Sequence, residues 1–166
     1  MQEEWREAPG FDRYMISNTG LVKAVKTERI LRPSKNQLGH LKVNLMCDGA
    51  IFTRTIHHLV AKAFLPEPTR EDFISLIHLN GDKSDCCAPN LLWRPRYFAI
   101  QYHQQFENRN FLNAKMPIED VKTGHQYATI RDAVISHGLL FNDVLQAIYQ
   151  RTYVWPTYQQ FRILAV

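Results

Sequence analysis

The stretch LIHLNGDKSDCCAPNLLW, from Leu76 to Trp93, decides how this chain reads. Its apolar start belongs to FISLI, a run with the length and composition of a short strand, and His78 stands at the strand's end. The polar run NGDKSD is rich in turn formers, and after Pro89 the chain turns apolar again at Leu91, Leu92 and Trp93. His78, Asn90 and Trp93 therefore sit at offsets of zero, twelve and fifteen. A histidine in this position is either a half-buried polar residue at a strand end or a base that activates water.

Upstream, HHLVAKAFL has helical period: Leu59, Val60, Ala63 and Phe64 share a face, and Pro66 ends the helix. A polar connection, Glu67 to Asp72, separates it from FISLI. Before the helix the pattern is that of antiparallel strands. YMIS, NTG and LVKAV read as a hairpin turning at Asn18 and Gly20, ILRP as a strand ended by Pro33, and HLKVNLM, CDGA and IFTRTI as a second hairpin turning at Asp48-Gly49. Alternation puts Leu41, Val43 and Leu45 on one face and Lys42 and Asn44 on the other.

Downstream, RYFAIQYHQQF reads as a helix after Pro95, and ENRNFLNAK as a linker. MPIEDVKTGHQYA carries two short strands around Thr123-Gly124. TIRDAVISHGLLFNDVLQAIYQ is helix, turn at Gly138, helix, and YQQFRIL is a closing strand. Two helices joined through a glycine turn fit a helix-turn-helix and equally an ordinary helical hairpin. The fold class is thus α+β, with a small antiparallel β module, a ββα centre, and a C-terminal β-hairpin plus helix-turn-helix. The module boundaries fall at residues 1–56, 57–107 and 113–166.

At 166 residues, with 45% hydrophobic and 22% charged residues, the chain has the composition of a folded domain. No apolar run approaches a membrane span, and MQEEWREAPG lacks the apolar core of a signal peptide. Three cysteines, Cys47, Cys86 and Cys87, cannot all pair within the chain, which fits a reducing cytosol. Adjacent Cys86-Cys87 lacks the spacing of a zinc ligand pair, so no structural zinc is expected. The net charge is +4, and its distribution is uneven. Arg13, Lys23, Lys26, Arg29, Arg32, Lys35 and Lys42 face a single acid, Glu28, over residues 13–42, whereas from Lys115 onward five basic residues meet four acids. A basic stripe confined to one module fits phosphate contact, and equally a solvated lysine-rich face.

The residues of the central stretch resemble the HNH endonuclease motif, in the subgroup found in homing endonucleases of phage introns. Ile77-His78-Leu79-Asn80-Gly81-Asp82-Lys83 and Asn90-Leu91-Leu92-Trp93 carry the resemblance, with HHLVAKAFLPEP matching the helix upstream. EEWREAPGFDRYMISNTGLVKAV resembles the nuclease-associated motif preceding such centres, through Trp5, Pro9-Gly10, Tyr14, Ser17-Asn18 and Gly20-Leu21-Val22. IRDAVISHGLLFNDVLQAI resembles the helix-turn-helix motif that follows them. The three motifs stand in the family's order over nearly the whole chain.

The resemblance implies that His78 is the general base and that Asn90 fixes the loop and helps orient the histidine. It also implies a divalent metal, Mg²⁺ or another, held by the residue before the histidine and by one on the following helix. Those positions are Ile77 and Ala99, neither of which has a lone pair, and Mg²⁺ demands near-octahedral oxygen or nitrogen ligands. His103, one helical turn past Ala99, and Asp82 or Asp85 in the loop are the replacements within sequence reach. The favoured expectation is a DNA-binding protein with a degenerate centre and no metal cofactor, phage-encoded and acting in the host cytoplasm. An active nicking endonuclease with substituted ligands is the alternative. Double-stranded DNA is the expected partner, through the seven basic residues and through Asn142 and Gln146 of the second helix. Leu140 and Phe141 are either core residues or an apolar surface for a protein partner. The latter would suit a phage-encoded modulator.

Overall fold

The computed structural model describes residues 2–113 and 115–164. The chain folds as two units, Met1–Pro95 and Arg96–Val166. The first is built from three small antiparallel sheets and one helix. Strands β1 (Trp5–Ala8), β2 (Phe11–Ser17) and β3 (Val22–Ala24) form one sheet with β2 central. In the second, β5 (Leu41–Cys47) lies between β4 (Ser34–Lys35) and β6 (Ala50–Thr55). Helix α1 (Ile56–Phe64) follows directly, and β7 (Ser75–His78) pairs with β8 (Leu91–Arg94).

Both expected hairpins are present. In the second, Cys47 pairs with Ala50 across Asp48 (φ 49°) and Gly49 (φ 77°), the left-handed pair that a two-residue turn needs. Alternation along β5 buries Val43 and Leu45 and exposes Asn44. The strand expected at ILRP is absent. Ile30 makes only an isolated bridge to Lys23, and pairing with β5 begins after Pro33, which has no N–H to give. Helix α1 stops as expected, at Leu65 before Pro66, and its inner face of Ile56, Leu59, Val60 and Ala61 enters the core. That core is continuous from Ala8 and Ile16 through Val43 and Leu45 to Leu76 and Leu91. Packing therefore joins segments on both sides of the motif boundary at residue 56.

The N-terminal hairpin turn docks onto the loop between β7 and β8. The Ala88 N–H donates to the Asn18 carbonyl (2.8 Å), while the Asn18 side chain accepts from the Glu4 N–H (3.1 Å) and donates to the Gln2 carbonyl (3.0 Å). Ser17 Oγ accepts from the Leu21 N–H (2.9 Å), closing the turn. Gly20 takes φ +90°, and a Cβ there would lie 2.9 Å from the Cβ of buried Cys86.

The second unit begins with α2 (Arg96–Gln105) and α3 (Arg109–Leu112). Helix α3 corrects the linker reading of ENRNFLNAK: Asn108 caps it by accepting from the Asn110 N–H, and Phe111 is fully buried. Ala114 of that segment lies outside the described residues. Strands β9 (Ile118–Asp120), β10 (Gln126–Tyr127) and β11 (Phe161–Ile163) form a sheet with β9 central, and α4 (Ile130–His137) and α5 (Phe141–Gln150) flank a left-handed Gly138. Thr129 caps α4 by accepting from the Asp132 N–H. Leu140 at the start of α5 cannot cap. Gln105 of α2 does so instead, its Oε1 accepting from the Phe141 N–H (2.9 Å) and its Nε2 donating to the Leu139 carbonyl (3.3 Å).

A polar network ties α4 to the sheet. His137 Nε2 lies 2.6 Å from the Tyr127 hydroxyl and 3.1 Å from Gln159 Nε2, which also donates to Asp120 (2.9 Å). Burial holds the His137 imidazole below its ordinary range, against a smaller upward pull from Asp120. Burial pulls the Asp120 carboxyl up, but hydrogen bonds from Gln159, Lys122 and Thr123 together outweigh it and hold the group below its usual range.

Two outcomes follow from these contacts. Gly20→Ala should destabilise the first unit by about 1–3 kcal/mol, since the added methyl must displace Cys86 and adopt a left-handed backbone. Thermal or denaturant unfolding measures this, and an unchanged midpoint would show that the turn does not pack as described. In the second unit, a histidine depressed when folded binds protons more readily when unfolded, so its contribution is complete above its ordinary value and is lost as pH falls below it. Amide exchange in α4 should therefore accelerate as pH drops below 6.5, after correction for intrinsic rates, and His137→Gln should flatten that response.

Candidate functional site

His78 closes β7 opposite Leu91, and Ile77 pairs with Leu92. Successive strand residues point to opposite faces, and both faces are covered here: His78 and Ile77 are each fully buried. The loop that follows is organised by Asn90. Its Oδ1 accepts from the Asn80 N–H (2.9 Å), and its Nδ2 donates to Asn80 Oδ1 (3.0 Å) and to the Asp85 carbonyl (2.9 Å). The Asn90 carbonyl accepts from the Leu79 N–H (2.8 Å), and the His78 carbonyl from the Gly81 N–H (2.8 Å). Asn90 thus ties together the backbone of the loop that follows His78, at Leu79, Asn80 and Asp85.

The loop acids are occupied in the same way. Asp82 Oδ1 accepts from the Ser84 N–H (2.8 Å), and Asp85 accepts from the Asn80 side chain (2.7 Å) and the Cys87 N–H (3.2 Å). His103 Nδ1 lies 2.8 Å from the Ala99 carbonyl within α2. Neither Asp82 nor His103 belongs to a metal-ligating cluster among the described residues. Burial, with Asp85 and Cys87 adding to it, pushes the Cys86 thiol up to about 12, so it stays protonated and weakly nucleophilic.

Two further histidines stand beside His78. The His57 ring, in the first turn of α1, is centred 5.2 Å from it in an edge contact, and the His40 ring, just before β5, is 5.4 Å away. His40 and His57 are 4.6 Å apart. His57 is buried and His40 half-buried. Neighbouring His58 is separate in role: its Nδ1 meets the Thr55 hydroxyl (2.9 Å), and burial, with Lys62 adding to it, holds its imidazole below the ordinary range.

The basic stripe separates in space. Arg29, Arg32 and Lys42 line one open groove with Tyr14, Ser34 and Asn44. Lys23 instead sits over the Trp5 ring at 4.7 Å, while Arg13, Lys26 and Lys35 are exposed around the module. None of the seven forms an ion pair among the described residues. In the second unit, Asn142, Gln146, Tyr149 and Gln150 share the exposed face of α5. Leu140 and Phe141 are 8% and 5% exposed, and Phe141 packs edge-on against Phe111 at 5.5 Å. They are core residues, so the apolar partner surface expected there does not form.

Residues 3–46 match the family described as the NUMOD4 motif. The chain is 33% identical over 152 residues to an uncharacterized HNH endonuclease of Acanthamoeba polyphaga mimivirus, covering 87% of this chain and 38% of that protein. It is 30% identical over 91 residues to the DNA endonuclease I-HmuI of Bacillus phage SP01, covering 54% of this chain and 51% of that one. The chain thus spans about half or less of these relatives. The fold matches a solved structure of the HNH homing endonuclease I-HmuI with a TM-score of 0.55 at 22% identity, over 98% of this chain and 99% of the other. The chain thus carries the NUMOD4 motif at its front, is similar in sequence to proteins named as HNH endonucleases, and shares the fold of I-HmuI.

Proposed function

We infer that the chain binds double-stranded DNA on an HNH scaffold whose metal-dependent cutting has been lost. The observation that carries this reading is the state of residue 77. The loop, its Asn90 brace and His78 are retained, while the neighbouring ligand position holds a fully buried isoleucine. An oxygen-ligated divalent cation does not fit these residues, because neither Ile77 nor Ala99 offers a donor atom. His78 could still take a proton from water, but that leaves the developing charge on the departing oxygen without a counter-charge, a contribution worth several kcal/mol.

Support for DNA binding is electrostatic. A groove lined by Arg29, Arg32 and Lys42 presents charges not neutralised by neighbouring acids, and phosphate contact is where such charges contribute most. The exposed amides of α5 suit base edges: Asn and Gln each pair a donor with an acceptor, the pattern that adenine presents in the major groove. The first surface supplies affinity and the second supplies discrimination. The relatives come from viruses, one of them a bacteriophage, which fits a viral origin. No described helix is long and apolar enough to cross a membrane.

Replacing Arg29, Arg32 and Lys42 by Gln together should weaken duplex binding and flatten the slope of log K against log salt by about 2–3, at about 0.9 per phosphate contact. A triple variant with the wild-type slope would place the contact elsewhere. In a nicking assay on supercoiled DNA, the protein should show no cleavage stimulated by Mg²⁺ or Mn²⁺. Metal-dependent nicking that disappears in His78→Ala would overturn the loss of cutting and direct attention to Asp82 and His103 as replacement ligands. Ile77→Asp alone should not restore cleavage, because a carboxylate in that buried apolar position costs several kcal/mol of stability.

A further inference from the structure

We propose that His40, His57 and His78 form a binding site for one borderline divalent cation of the zinc class, separate in chemistry from the oxygen-ligated metal of the nuclease motif. One ligand atom from each imidazole lies within 4.8 Å of the other two, and they are the one such group of three among the described residues. The three come from different elements: the approach to β5, the first turn of α1 and the end of β7. Three rings from separate parts of the chain, converging at centroid distances of 4.6, 5.2 and 5.4 Å, make a built arrangement. His57 and His78 are buried, so their positions are set by the surrounding core.

Ligand chemistry selects the ion. Imidazole nitrogens suit Zn²⁺, Cu²⁺, Ni²⁺ and Fe²⁺, whereas Mg²⁺ and Ca²⁺ require oxygen donors, and no carboxylate joins the three among the described residues. With Zn–N bonds of 2.0–2.1 Å, tetrahedral ligand nitrogens stand about 3.3 Å apart, so the cluster closes by at most about 1.5 Å to grip an ion. Ring rotation of half-buried His40 can shorten its distances to the other two. Three protein ligands leave the fourth position for water. The expectation that zinc is excluded rested on the cysteines. None of the three thiols belongs to the histidine cluster.

Binding has two consequences within the first unit. The ion ties the β module, α1 and β7 together, stabilising the fold in proportion to its affinity. It also engages the lone pair of His78, so that with the ion in place His78 is a ligand and cannot also act as a base. Two imidazoles beside His78, one buried and one half-buried, thus turn a catalytic corner into a structural one.

The test uses the chelator-treated full chain without DNA, so that its outcome is independent of DNA binding and of cleavage. Titration with ZnCl₂ should show one equivalent bound and a raised unfolding temperature. Co²⁺ should give the visible spectrum of a nitrogen-ligated ion. His40→Gln and His57→Gln should each weaken binding by on the order of 100-fold or more, since even outer-shell losses cost 10- to 100-fold. Cys47→Ser with Cys87→Ser should leave it intact. No saturable binding, or binding unchanged in the histidine variants, would overturn the proposal. So would binding lost with the cysteines. If either histidine variant fails to fold, ¹⁵N shifts of the ring nitrogens in the wild-type protein decide: Zn²⁺-induced shifts at His40, His57 and His78 support the site, and shifts elsewhere or none overturn it.

Discussion

The close approach of Gly20 to Cys86 is the contact on which the first unit depends. With no Cβ in the way, the N-terminal hairpin turn lies flat against the loop that carries Asn90, and the Asn18 carbonyl can receive the Ala88 N–H at 2.8 Å. This backbone contact makes the front motif and the central motif one body, with a shared core running from Ala8 to Leu91. Burial of that apolar surface supplies the driving force, and the polar contacts at the turn determine which way the hairpin faces. The front module thereby helps hold the central loop.

Inside the loop the same economy applies to side chains. Asn90 satisfies the backbone of the loop after His78, and Asp82 and Asp85 are engaged with local N–H groups or with Asn80. The isoleucine beside His78 is buried, and a carboxylate in its place would need a metal or a donor to offset desolvation.

The second unit shows how tertiary contact replaces a missing local signal. Leu140 cannot cap α5, and Gln105 of α2 reaches across to do so. Phe141 goes inward against Phe111, whose own short helix lies in a stretch that looked like a linker. This inward turn frees the opposite face of α5 for Asn142, Gln146 and Gln150.

The sequence by itself determined the secondary structure that local chemistry controls: the two hairpins from Asn18, Gly20 and Asp48-Gly49, helix α1 from its period and Pro66, and α4 and α5 from the glycine between them. It also carried the resemblance to HNH endonucleases, since such a resemblance is read residue by residue along the chain. Its failures have one cause. ILRP and ENRNFLNAK were assigned from composition, while pairing partners and the burial of Phe111 were decided elsewhere in the fold. Whether Leu140 and Phe141 face solvent or core is likewise a matter of what packs against them, which periodicity cannot specify. The convergence of His40, His57 and His78 was the least legible feature. No spacing rule links residues 17 and 21 positions apart on a loop, a helix and a strand, and only the packing of those three elements around one core brings the rings together.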